Sequence, residues 1–227
     1  KYAANAFLAT KISFANSIAN LSELTGADGL KVLEAVGLDK RIGSSFLSPG
    51  AGYGGSCLPK DIKALLSIAK TSGYEFSLLK EVDKVNNQAM AGIVSKSKRL
   101  LGGSLENKTI AVLGLSFKPD TDDMRDASSI VVINSLIRAG ARIKAYDPVA
   151  MENAGKILKG ITFSKDSYQA VEDADLLIIL TEWNEFRQLD LLEIKKLMRK
   201  PSIVDGRNIY DPQKVREMGF AYLGVGR

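Results

Sequence analysis

Thr109-Ile110-Ala111-Val112-Leu113-Gly114-Leu115 is an unbroken apolar run, rich in branched residues and too short for a helix. It reads as a strand buried on both faces. A polar loop follows, then an apolar stretch with helical spacing over residues 128–139, and then a second strand pattern, Arg-Ile-Lys-Ala-Tyr (142–146), closed by Asp147-Pro148. Further short strand patterns lie at residues 161–163, 176–180 and 203–205, with helical segments between them. Such alternation predicts a doubly wound, Rossmann-like parallel sheet covered by helices on both faces. Sites on such sheets gather beyond the carboxyl ends of the strands, here residues 114–126, 181–187 and 205–208. No G-x-G-x-x-G follows Leu113. Gly114-Leu115-Ser116-Phe117-Lys118 is a different turn, so this domain is not expected to hold a dinucleotide in the usual way.

Toward the amino end the pattern becomes helical. Ala3, Ala4, Phe7, Leu8, Ile12, Ala15, Ile18, Ala19 and Leu21 recur at helical spacing, and Gly26 supplies a terminator. Asp28 is placed to cap a short helix through Val36, with Gly37 at its end. A glycine-rich loop occupies residues 48–56, Pro59 opens another helix at its first position, and residues 76–101 form a further long one. Gly102-Gly103-Ser104 is the natural joint. The fold class is therefore α/β, with an all-helical domain over residues 1–103 and a Rossmann-like domain over 104–227.

Composition narrows the chemistry. The chain has 227 residues, one Cys and no His, which removes imidazole bases, His triads and His metal sites, and no metal site is expected. A lone Cys57 cannot form an internal disulfide, which suits a reducing, cytoplasmic setting. No apolar run approaches the roughly 20 residues that span a bilayer, and no signal-peptide pattern opens the chain, so no membrane partner is expected. The formal charge of +5 lies wholly in residues 1–100, which hold 13 basic and 8 acidic residues. These charges stand singly on helical patterns, without the aromatic interleaving of a nucleic-acid surface, so no nucleic acid is expected. A small phosphorylated anion stays open.

Within Gly50-Ala51-Gly52-Tyr53-Gly54-Gly55-Ser56-Cys57-Leu58-Pro59-Lys60-Asp61 the glycines let backbone amides approach a ligand. Cys57 falls just before a helix, where the positive dipole end and Lys60 favour the thiolate. Asp61 follows within the first turn. A soft nucleophile beside an amide-rich cradle and acid–base groups suits covalent catalysis.

This stretch, with Phe46-Leu47-Ser48-Pro49 before it, resembles the catalytic loop of the UDP-glucose/GDP-mannose dehydrogenase family. Three further segments share the resemblance: Lys1-Tyr2-Ala3-Ala4-Asn5-Ala6-Phe7, Gly114-Leu115-Ser116-Phe117-Lys118-Pro119-Asp120-Thr121-Asp122-Asp123-Met124-Arg125, and Asp205-Gly206-Arg207-Asn208. The resemblance implies oxidation of UDP-glucose to UDP-glucuronate by two hydride transfers to NAD, through a Cys57 thiohemiacetal and thioester. GDP-mannose is the alternative substrate, and a non-catalytic sugar-nucleotide-binding or dimerisation module the alternative role.

It further implies that Lys1 and Asn5 hold the oxygen and water near C6 while Asp61 orients or deprotonates that water. Ser48, Pro49, Gly50, Ala51, Gly52, Tyr53 and Gly54 wrap the sugar. Phe117 stacks on uracil, Lys118 meets the diphosphate and Arg207 the sugar or diphosphate. Arg41 reaches a neighbouring subunit's site, in a homodimer formed through the first helix. Lys60 and Arg125 reach NAD. Members of the family carry an NAD-binding domain ahead of this region, so the expectation is that the present polypeptide is one piece of that arrangement and does not turn over alone.

Overall fold

The computed structural model describes all of residues 1–227. The chain divides into two compact units, Lys1–Met90 with Val225–Arg227, and Ala91–Gly224.

The first unit is helical. Helix α1 (Tyr2–Thr25) turns a small-residue face, Ala6, Ala9, Ala15 and Ala19, to the interior. It ends at Gly26, whose φ of 75° suits glycine and whose N–H returns to the Ser22 carbonyl. Helix α2 (Gly29–Gly37) starts at Asp28, whose carboxylate accepts the Leu30 and Lys31 N–H groups. Helices α3 (Leu58–Thr71) and α4 (Ser77–Leu100) follow. Ala6, Ala9, Tyr53, Ile62, Leu79 and Val82 form one core cluster, and Ala15, Leu33 and Leu47 a second. The division between the units falls inside α4, ahead of the Gly102-Gly103 pair.

The second unit runs β1 (Thr109–Leu113), α5 (Ser128–Arg138), β2 (Arg142–Tyr146), α6 (Met151–Ile157), β3 (Thr162–Phe163), α7 (Ser167–Val171), β4 (Leu176–Ile179), α8 (Asn184–Arg187), α9 (Leu191–Leu197), β5 (Ser202–Asp205), α10 (Pro212–Glu217) and β6 (Ala221–Leu223). All pairs are parallel, in the order β3-β2-β1-β4-β5-β6, which is the order of doubly wound dinucleotide folds. In register, Ile110 lies beside Ile143 on one side and Leu176 on the other. Strands β4 and β5 are buried at every position, β4 as its unbroken apolar sequence requires and β5 with Ser202 and Asp205 enclosed at its two ends. Asp190 and Asp211 cap α9 and α10.

The differences from the sequence reading are local. β1 stops at Leu113 rather than Leu115, because Gly114 takes a φ of 90° and the Leu115 N–H turns away to the Asp147 carboxylate. The three-residue β6 is an addition, too short to show a period. No helix is long and apolar enough to cross a membrane.

Candidate active site

Helix α3 begins at Leu58 with Cys57 as its N-cap. Pro59 is thus the second helical residue, not the first, and its missing N–H is still one of the unpaired donors of the opening turn. The Cys57 side chain is exposed, with the Ser56 hydroxyl 3.8 Å from its sulfur. Asp61, one turn along, is fully buried. Its Oδ2 accepts from Asn5 Nδ2 at 2.6 Å, and its Oδ1 lies 2.9 Å from the Lys60 ammonium. The Lys60 hydrogen bond, more than any other influence, holds the Asp61 carboxyl below the ordinary aspartate range. Burial opposes this, while the Asn5 hydrogen bond and the charge of Lys1 add to it. The same pairing raises Lys60. A carboxylate held in this way is a poor proton acceptor at neutral pH and a firm anchor for a donor. Lys1 stands at the exposed start of α1, its carbonyl accepting the Asn5 N–H. The first unit therefore brings Lys1, Asn5, Cys57, Lys60 and Asp61 together from two helix ends.

The glycine-rich loop beside them is held by two buried amides that sequence reasoning missed. Gly50 N–H donates to Asn16 Oδ1 at 2.8 Å. Asn86 accepts the Tyr53 N–H at 2.8 Å and donates to the Tyr53 carbonyl at 3.1 Å. Gly52 has φ 85°, and a Cβ there would meet Asn86 Oδ1 at 2.8 Å, so only glycine lets the loop lie against α4. The one available signal was an amide recurring on the apolar face of each long helix. The Tyr53 ring packs among Ala6, Ala9 and Ile62, and burial pushes its hydroxyl pKa up. Pro49, Gly50, Ala51 and Gly52 are buried, Gly54 is half-buried and Ser48 is exposed. Asn86→Ala strands the buried N–H and carbonyl of Tyr53 and is expected to cost about 2–4 kcal/mol. Chemical denaturation checks this, and a loss below about 1 kcal/mol contradicts it.

In the second unit Phe117 is half-buried, with the Lys118 ammonium 5.6 Å from its ring centroid, within cation–π range. Arg207, just past β5, is largely enclosed. Its Nε lies 2.7 Å from the Leu180 carbonyl and 3.3 Å from a Glu182 carboxylate oxygen. Asp205 beneath it is buried, and desolvation raises its carboxyl pKa against the hydrogen bonds from Tyr210, Arg207 and Tyr222. Arg125 forks onto Asp123, with Nη2 2.8 Å from Oδ2, and keeps that carboxyl low. In the first unit Arg41 forks in the same way onto Asp39, at 2.6 Å, and is exposed.

The turn after β1 lacks the glycine-rich fingerprint of a dinucleotide site. A Cβ on Gly114 would sit 2.5 Å from the Thr181 backbone nitrogen, so the loops after β1 and β4 touch at that point. The acidic residue after β2, which in dinucleotide folds accepts the ribose hydroxyl, is Asp147, and both of its oxygens accept donors from the protein.

Comparison with known proteins identifies the family. The model described as the UDP-glucose/GDP-mannose dehydrogenase family, central domain, matches residues 1–88, and that family's UDP binding domain matches residues 111–212. UDP-glucose 6-dehydrogenase TuaD of Bacillus subtilis is 48% identical over 228 residues, spanning all of this chain and 49% of the relative. The UDP-glucose 6-dehydrogenase of Rhizobium meliloti is 48% identical over 227 residues, again across the whole chain and 52% of the relative. The chain thus spans about half the length of the curated relatives it matches. Among solved structures, a UDP-glucose dehydrogenase from Pyrobaculum islandicum superposes with a TM-score of 0.90 at 39% identity, covering all of this chain and 50% of that one. With both of that family's domain models matched in order, over residues 1–88 and 111–212, the chain belongs to the UDP-glucose/GDP-mannose dehydrogenase family.

Proposed function

We propose that this chain supplies the nucleophile and the sugar-nucleotide site of an NAD-dependent UDP-glucose 6-dehydrogenase that forms UDP-glucuronate. The observation that carries the reading is the exposed Cys57 thiol at the α3 N-cap beside the Asn5–Asp61–Lys60 cluster. NAD is the hydride acceptor, and Lys60 and Arg125 are the cations of this chain proposed to meet it. Cys57 captures the C6 aldehyde as a thiohemiacetal and carries the acyl group as a thioester until water releases the acid. Lys1 and Asn5 stabilise negative charge developing on the C6 oxygen. Asp61, a carboxylate with its proton affinity lowered, orients rather than deprotonates the hydrolytic water. Backbone groups of the 48–54 loop wrap the hexose, Phe117 and Lys118 take the uracil ring and the diphosphate, and Arg207 the sugar or diphosphate.

The functional form is a homodimer through α1, which carries Phe7, Phe14, Leu21 and Leu24 exposed on its surface. Arg41 acts in the neighbouring subunit's site. The setting is the cytoplasm, and the partner is the sugar nucleotide rather than nucleic acid or membrane.

Thiol labelling tests the assignment. Iodoacetamide is expected to modify Cys57 in the folded chain, one label per chain, and saturating UDP-glucose to slow the reaction by about tenfold or more by occupying the site. Protection by GDP-mannose but not by UDP-glucose reassigns the substrate. A folded chain that resists labelling, or labels equally fast with either ligand, removes the reading.

A further inference from the structure

Asp147 lies immediately beyond β2 and is fully buried, yet no step of the chemistry above uses it. Its carboxylate is the meeting point of three loops at the carboxyl edge of the sheet. Oδ2 accepts the Leu115 N–H at 2.7 Å, the Ser116 N–H at 3.1 Å and the Trp183 indole N–H at 3.2 Å, and the Ser116 hydroxyl lies 3.1 Å from it. Oδ1 accepts the N–H groups of Val149 at 3.1 Å and Ala150 at 2.8 Å. The turn held in this way is tied at its carbonyls too. The Ser129 hydroxyl donates to the Leu115 carbonyl, and the Thr181 hydroxyl donates to the Ser116 carbonyl at 2.6 Å. The Ser116 hydroxyl is also within 3.0 Å of the Lys118 carbonyl. Leu115 and Ser116 thus have every backbone polar group paired, and the next two residues are Phe117 and Lys118.

We propose that Asp147 is a positioning residue for sugar-nucleotide binding, and that it converts the acidic position after β2 from a ribose acceptor into the anchor of the Phe117–Lys118 turn. A carboxylate suits this place because it only accepts, and every group facing it can donate. Anchoring the turn before the ligand arrives removes the cost of ordering it on binding. Asp147 also ties the Trp183 indole to the β1 turn, which the Thr181 hydroxyl joins through the Ser116 carbonyl. The proposal rests on Phe117 and Lys118 being the nucleotide contacts, and the experiment separates the two ideas.

UDP is titrated into the 227-residue chain by calorimetry, and the emission of Trp183, its only tryptophan, is followed in parallel. Unaltered chain is expected to bind UDP with a change in Trp183 emission. Asp147→Asn places an amide N–H against N–H donors, and is expected to weaken UDP binding about tenfold or more, equivalent to about one hydrogen bond to a charged group. It should also shift the resting emission and abolish the UDP-dependent change. Trp183→Phe, which removes a single indole donor, covers the case in which Asp147→Asn fails to fold. It is expected to weaken UDP binding about threefold at nearly unchanged melting temperature. If the unaltered chain binds no UDP, the nucleotide assignment of Phe117 and Lys118 falls and the positioning role falls with it. If it binds UDP and the folded variants bind equally well while only their melting temperatures drop, Asp147 is structural and the positioning role alone is overturned.

Discussion

Replacing Phe7 and Phe14 together by glutamate is expected to turn a dimeric chain into a monomer at micromolar concentrations. Phe7 is 66% exposed, Phe14 50%, Leu21 56% and Leu24 85%, whereas the opposite face of α1 is closed by Ala6, Ala9, Ala15 and Ala19. Phe7, Phe14 and Leu21 follow one another at seven-residue intervals, so they line one seam of the helix, with Leu24 beside them. Apolar surface of that extent, arranged as a stripe, is uncommon on a monomer. A second copy of α1 is the natural cover, because a twofold seam requires a surface complementary to itself. Each buried phenylalanine contributes about 2 kcal/mol, and the proposed symmetric interface counts four, so charge at these positions should weaken association by about a thousandfold or more. Sedimentation velocity on the two proteins decides it. Equal masses for parent and variant, whether both monomeric or both dimeric, would sink the α1 interface.

Gly114→Ala is expected to be the most damaging single methyl in the α/β unit. Its φ of 90° is strained for any residue with a Cβ, and that Cβ would meet both the backbone nitrogen and the Cβ of Thr181 at 2.5 Å. Neither atom belongs to a flexible side-chain end. Thr181 is itself fully buried and hydrogen-bonded to Ser116, so relief requires separating the loops after β1 and β4. The expected loss is about 3–5 kcal/mol, combining backbone strain with overpacking. Gly102→Ala is the matched control. That glycine has φ 82° but nothing within 4 Å of its Cβ position, leaving only the strain of about 1–2 kcal/mol. Thermal melts followed through Trp183 should rank the two far apart, and equal melting temperatures would show that the loops can separate at little cost. Gly114 opens the turn that carries Phe117 and Lys118, the proposed nucleotide contacts, so the same variant is expected to lose UDP binding.

Much of the architecture was legible along the chain. The helices around Phe7, Val36 and Ile68, and the strands at Ile110, Ile143, Leu177 and Val204, arise from periodicity in consecutive residues, from Asp28 and Gly26 as local start and stop signals, and from apolar runs that only a covered parallel sheet can bury. The position of Cys57 at the mouth of a helix was legible for the same reason, since a cap belongs to the residues beside it. β6 was not, because three residues with one inward side chain carry no period.

The partners of the site residues were likewise beyond local reading. Asn16 and Asn86 interrupt apolar helix faces, but nothing beside them shows that they meet Gly50 and Tyr53 from 34 and 33 residues away. Asp61 reads as an acid–base group of its loop, but that it is buried and held by Asn5 from 56 residues away is set by packing. Asp147 looks like the start of a turn until donors from 31 to 36 residues away converge on it. Sequence by itself determined where the helices, most of the strands and the helix-capping Cys57 lie, because short-range sterics and hydrophobic spacing are properties of neighbouring residues. Only the tertiary structure decided the strand order and which polar atoms meet, because a buried donor must find an acceptor wherever packing happens to bring one.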